Sequence, residues 1–90
     1  MIIDVKEAVQ VATEALSKFY EGRAFSDITL EEVELSENQA FWYITLSFVK
    51  PSPGATPFDA MMGSGGTRVY KLFTIDANNK RVISMKIKSL

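Results

Sequence analysis

The stretch Phe41-Trp42-Tyr43-Ile44-Thr45-Leu46-Ser47-Phe48-Val49 decides the fold. Aromatic and β-branched residues dominate it and no Gly, Pro, Asn or Asp interrupts it, which is the composition of a strand on a packed, pleated surface. Successive side chains of a strand point to opposite faces. Trp42, Ile44, Leu46 and Phe48 therefore share one face, and Phe41, Tyr43, Thr45, Ser47 and Val49 share the other. The first set is the face for a helix to cover. The second set also holds aromatic and aliphatic groups, and a sheet that is apolar on both sides is expected to need a cover on both.

The covering helix lies at the N-terminus. Asp4, followed three residues later by Glu7, is a capping-box pattern with a carboxylate near the positive end of the helix dipole. Val5, Ala8, Val9, Ala12, Leu16, Phe19 and Tyr20 then recur at steps of three and four, an apolar stripe of about four turns. Gly22 can take the left-handed conformation that ends a helix. Ile28 to Leu35 reads as a first strand, with Val33 and Leu35 on one face and Glu32 and Glu34 on the other, and its Glu content marks an edge. Ser36-Glu37-Asn38-Gln39 is a turn. Between Pro51 and Thr67 no period is readable: Pro and Gly bracket a small apolar group, in a connection far longer than the usual 4 to 6 or so residues, expected to be functional or disordered.

Arg68 to Asp76 and Arg81 to Lys88 form a hairpin around Asn78-Asn79, because Asn tolerates the positive φ of a tight turn. A two-residue turn pairs Asp76 with Arg81, Leu72 with Met85 and Tyr70 with Ile87. It gathers Tyr70, Leu72, Ile83, Met85 and Ile87 on one face and sets Lys71 opposite Lys86, an unfavourable like-charge pair. The expectation is one α+β domain over 1–90, an N-terminal helix packed on a four-stranded antiparallel sheet in α-β-β-β-β meander order.

Composition narrows the chemistry. With 47% hydrophobic and 23% charged residues, this 90-residue chain is a folded domain, not a disordered one. It contains no Cys and no His, which removes disulfides, the usual zinc sites, cysteine nucleophiles and histidine-dependent triads. No basic segment precedes an apolar core at Met1-Ile2-Ile3-Asp4, and no apolar run approaches a bilayer's span, so a cytoplasmic location without membrane contact is the expectation. The net charge of −1 hides an asymmetry: residues 1–37 hold nine acids against three bases, and residues 38–90 two against seven. Either the molecule has a dipolar surface that steers a partner, or the two halves lie together and neutralise each other.

The opening Asp4-Val5-Lys6-Glu7-Ala8-Val9-Gln10-Val11-Ala12 and the closing Tyr70-Lys71-Leu72-Phe73-Thr74-Ile75-Asp76-Ala77-Asn78-Asn79-Lys80-Arg81-Val82-Ile83 resemble the helix and terminal hairpin of PepSY-like domains. More broadly, one helix followed by a meander is similar to cystatin-like folds. The resemblance covers about half the chain and implies an interaction or inhibitory module, not a catalyst.

Four groups of residues are candidates for function. Gly63-Ser64-Gly65-Gly66-Thr67 lacks the Lys and the strand-to-helix setting of a phosphate loop. Glu31, Glu32, Glu34 and Glu37 are dense enough to suggest acid-base work or calcium, but strand alternation separates them and solubility explains them. Phe58, Met61 and Met62 form an apolar tip suited to docking in a partner's groove, or to folding back on the domain's own core. Phe41, Tyr43 and Phe73 are expected on the outer sheet face near Lys71, Lys86 and Lys88. That face suits a protein partner or a second copy, and less well single-stranded nucleic acid, given the acidic pI of about 5.3. The reading is a noncatalytic interaction or inhibitory module with no cofactor or metal, self-associating through the sheet. The alternatives are single-stranded nucleic-acid binding and a small-ligand carrier.

Overall fold

A computed structural model describes residues 2–22, 25–51 and 66–88. Helix α1 (Val5–Phe19) is followed by β1 (Ser26–Leu35), β2 (Phe41–Pro51), β3 (Gly66–Asp76) and β4 (Val82–Ile87). The strands form one antiparallel sheet in the order β1-β2-β3-β4, the expected meander. Most of the unpatterned stretch after Pro51, including Phe58, Met61, Met62 and the glycines before Gly66, lies outside the described residues. Gly66 and Thr67 already belong to β3.

The helix begins where the cap predicts. Asp4 has extended backbone and its Oδ1 accepts from the Glu7 N–H at 2.9 Å. The Glu7 carboxylate does not return to Asp4 to close the box, and pairs instead with Lys80 Nζ at 2.7 Å. Gly22, at φ 80°, supplies the left-handed residue beyond the helix end. Ala8, Ala12, Ala15 and Leu16 are the buried face. Three of these four are alanines, so the helix backbone can approach the sheet closely, and the large groups of the core come from the strands: Ile44, Leu46, Phe48, Phe73 and Ile75. The residues before the helix are tied down as well. The Ile3 N–H donates to Ala77 O at 2.8 Å, and Trp42 Nε1 donates to Ile3 O at 3.0 Å.

The β3–β4 register departs from the expectation by one residue. Near the turn it holds, with the Asp76 N–H donating to Arg81 O and Ile75 opposite Val82. Ile83 is then a β-bulge, and beyond it Thr74 faces Ser84, Phe73 faces Met85, Leu72 faces Lys86 and Lys71 faces Ile87. The physical reason is the core. Without the bulge the helix-side residues of β4 would be Val82, Ser84 and Lys86, whereas the extra residue turns Met85 and Ile87 to that side and separates Lys71 from Lys86. Tyr70 and Leu72 therefore do not share a face with Met85 and Ile87. Phe73, expected on the outer face, is fully buried beside Ile44 on the helix side.

The turn is also built differently. It spans four residues, and Lys80, at φ 58°, takes the left-handed conformation expected of the Asn pair. Asn78 and Asn79 serve as donors: both backbone N–H groups and the Asn79 side chain hydrogen-bond the Asp76 carboxylate at 2.9–3.1 Å. The Asn79 side chain first, then these backbone N–H groups, and finally nearby Arg81, hold the Asp76 carboxyl below the usual carboxylate range.

Phe73→Ala is expected to lower stability by about 3–5 kcal/mol in denaturant titration, against less than about 0.5 kcal/mol for exposed Ile87→Ala. Similar costs at the two positions would contradict the burial of Phe73 on the helix side. Because its folded pKa is lowered, Asp76 supports the turn above the unfolded value of about 3.9, and that support fades as pH falls further. The amide resonance of Asn79 should follow this titration, with a midpoint below about 3.9, and lose it in Asp76→Asn, whose side-chain oxygen still accepts.

Candidate interaction surface

The two faces of the sheet differ in chemistry. On the face away from the helix, strand pairing aligns Glu34, Tyr43, Thr74 and Ser84 in one row, and Glu32, Thr45, Leu72 and Lys86 in the next. A β-bulge between Leu30 and Glu32 inserts Glu31 and brings both glutamates over this face. Ser47 Oγ donates to Glu31 Oε2 at 2.6 Å and accepts from Arg68 Nη1 at 2.8 Å, while the same guanidinium pairs with the Asp27 carboxylate. Lys88 Nζ reaches Glu32 Oε1 at 2.6 Å and lies 3.4 Å from Thr45 Oγ1.

Long charged side chains thus close over the middle of the face, and Ser47 and Thr45 are buried beneath them. The face already has a polar cover of its own, so the expectation that apolar groups there demand a second layer does not hold. Phe41 and Tyr43 are half-buried on this side, whereas Phe73 belongs to the core and offers nothing to a partner. All three ion pairs among the described residues join an acid of residues 1–37 to a base of residues 38–90: Asp27 to Arg68, Glu32 to Lys88 and Glu7 to Lys80. The charge asymmetry is thus neutralised in part within the molecule.

The helix side has the opposite character. Helix α1 packs on β2, with further contact to β3 and β4, and leaves β1 at the margin. Leu30 and Val33 stand opposite Leu46 and Ile44, on the core side of the sheet, yet they are 46% and 39% exposed. Ile28, at 39%, extends the strip along the same strand. At the other edge of the sheet Ile87 is 79% exposed. These aliphatic margins lie on the opposite side of the sheet from the outer face that the sequence points to. The signal was present in the apolar spacing of Ile28, Leu30, Val33 and Leu35, whose one three-residue step reveals the extra residue at Glu31.

Between the helix and the β3–β4 turn runs a shallow groove of about 200 Å³ lined by Glu7, Gln10, Val11, Glu14 and Lys80. The Glu7 hydrogen bond and charge hold the Lys80 ammonium above its ordinary value, so the polar groups of this groove are engaged with each other. Among the described residues no cluster of three or more acids stands ready to hold a metal, and no helix is long and apolar enough to cross a membrane.

Arg68→Leu should cost about 1–2 kcal/mol, because it leaves Ser47 and Glu31 without their cation, and Arg68→Lys should recover only part of this since an ammonium lacks the planar fork whose two nitrogens reach Ser47 and Asp27. Asp27→Asn, which removes the charge of an exposed partner and keeps a residue suited to the left-handed backbone at φ 55°, should cost less than about 1 kcal/mol in the same denaturant titration.

No family model matches the chain, and no match was found among curated proteins or solved structures.

Proposed function

We propose that this chain is a noncatalytic protein-interaction module that associates through the margins of its sheet. The observation that carries the reading is the strip of Ile28, Leu30 and Val33, core-side aliphatic groups of an edge strand that stay partly exposed at the margin of the helix's cover. Scattered exposed aliphatics need no explanation, but a row of them along a free strand edge is the arrangement that strand addition uses: main-chain hydrogen bonds supply affinity and alternate side chains supply specificity. The resemblance to PepSY-like and cystatin-like domains supports the same class of function.

Two other readings are weaker on physical grounds. The outer face is a poor platform for single-stranded nucleic acid, because Arg68 and Lys88 are held by carboxylates, Glu34 shares the face, and Phe73 cannot stack on a base from within the core. The groove beside Lys80 is shallow and ion-paired, unlike the enclosed apolar pocket of a small-ligand carrier.

The test is the double substitution Leu30→Lys, Val33→Lys, which leaves the buried core untouched. Partner recovery from native cell extract and mass by light scattering should both fall, with affinity for any bound protein reduced at least about tenfold. Unchanged recovery together with unchanged mass would refute a role for the β1 margin.

A further inference from the structure

We propose that the partner is a second copy of this chain, bound head to tail, with the β4 edge of one copy added to the β1 edge of the next. The proposal rests on the interaction reading above and names its occupant. In a meander of four antiparallel strands, β4 runs opposite to β1. A copy set beside another in the same orientation therefore meets it in antiparallel pairing and keeps both helices on one side of a continuous sheet.

The two edges match in pattern and oppose in charge. On the helix side β1 presents Val33 and Leu35, and β4 presents Met85 and Ile87; on the other side β1 presents Glu32 and Glu34, and β4 presents Ser84 and Lys86. With Leu35 placed opposite Met85 of the next copy, Glu34 falls opposite Lys86 and Val33 opposite Ile87. That register covers the most exposed aliphatic side chain among the described residues, Ile87, with a second one, Val33. It also pairs Glu34 with Lys86, neither of which has an ion-pair partner among the described residues. The next copy's helix, which reaches its own β4, comes alongside the β1 margin.

Charge selects this arrangement over the symmetric ones. Antiparallel β1 with β1 about Val33 sets Glu32 against Glu34, and β4 with β4 brings lysines together, both unfavourable. The bulges at Glu31 and Ile83 bound the clean runs to Glu32–Leu35 and Ser84–Ile87, so the contact is short and weak. A heterologous contact does not satisfy both of its faces in a pair, and association continues past the dimer.

Sedimentation velocity over roughly 10 µM to 1 mM, the range in which small interfaces dissociate, tests this. The natural chain should gain mass beyond a dimer with concentration. Val33→Lys blocks one edge and Ile87→Lys the other, both at exposed positions, and circular dichroism confirms that each variant folds. Each alone should stay monomeric, while a mixture of the two should give a 1:1 pair and nothing larger, because one free β4 edge and one free β1 edge remain. A natural chain that stays monomeric throughout would overturn the proposal, leaving the interaction reading to its own test with other proteins. A single blocked variant that still dimerises, or a mixture that stays monomeric while the natural chain associates, would overturn the head-to-tail arrangement alone.

Discussion

One helix about 10 Å wide cannot cover four strands spaced about 4.8 Å apart. Everything distinctive in this molecule follows from how that shortfall is met. Ala8, Ala12 and Ala15 bring α1 close to β2 and its neighbours, and a close approach leaves less reach at the sides. The strands at the centre supply the bulk that the helix lacks, with Phe48 and Phe73 filling the space that larger helix side chains would occupy. Phe25 packs edge to face and Tyr20 at a tilt against Phe48, and the two extend this cover past the helix end. The uncovered remainder is concentrated at β1, where three aliphatic side chains stand in a row toward solvent.

The opposite face solves the same problem with charge. A two-layer domain leaves one side of its sheet to water, and water-facing Thr45 and Ser47 on a central strand would expose backbone and small side chains between larger neighbours. Arg68 and Lys88 instead lie across the sheet toward carboxylates on β1, with their aliphatic stems over the central strands and their heads paired. Each exposed pair contributes little by itself, about 0–1 kcal/mol. Their combined geometric effect is larger than their energy. They tie the acidic edge strand to β3 and to the end of β4 across the face that the helix does not hold, and so hold β1 at the margin of the helix's cover.

Much of this was legible in the residues. The cap at Asp4, the helical stripe, the alternation of residues 41–49 and the meander order all follow from local pattern, because each depends on a period or on a single hydrogen bond. What was not legible came from one-residue insertions. A bulge at Ile83 costs nothing in local propensity, yet it inverts every β4 side chain after it, so that Met85 and Ile87 share the helix side with Phe73, which its pairing with Ile44 places in the core, and not with Tyr70 and Leu72. The warning lay in the like-charge opposition of Lys71 and Lys86, a local conflict of the kind that folded sequences avoid. Glu31 and Glu32 side by side carried the same message for β1. Burial of Ser47 and Thr45 was unreadable for a different reason: the groups that cover them come from residues 16 to 43 positions away, and no local window contains those pairs.

The same bulges that obscured the register also shape what the edges can do. A long, flat, aliphatic edge strand invites indiscriminate pairing, and natural sheets guard against it with charge, twist and interruption. Here both edges have two of these guards: glutamates line β1, Lys86 stands on β4 with Lys88 just beyond it, and each strand is broken by an extra residue. Guards of one sign on each edge are not neutral toward the other edge, however. Acid on β1 repels a second β1 and base on β4 repels a second β4, but the two strands attract each other, and the aliphatic groups beneath them fall on the same side of the sheet. Charge that protects an edge against its own kind therefore also selects its complement, so a molecule with oppositely charged margins is closed to symmetric pairing and open in one direction only.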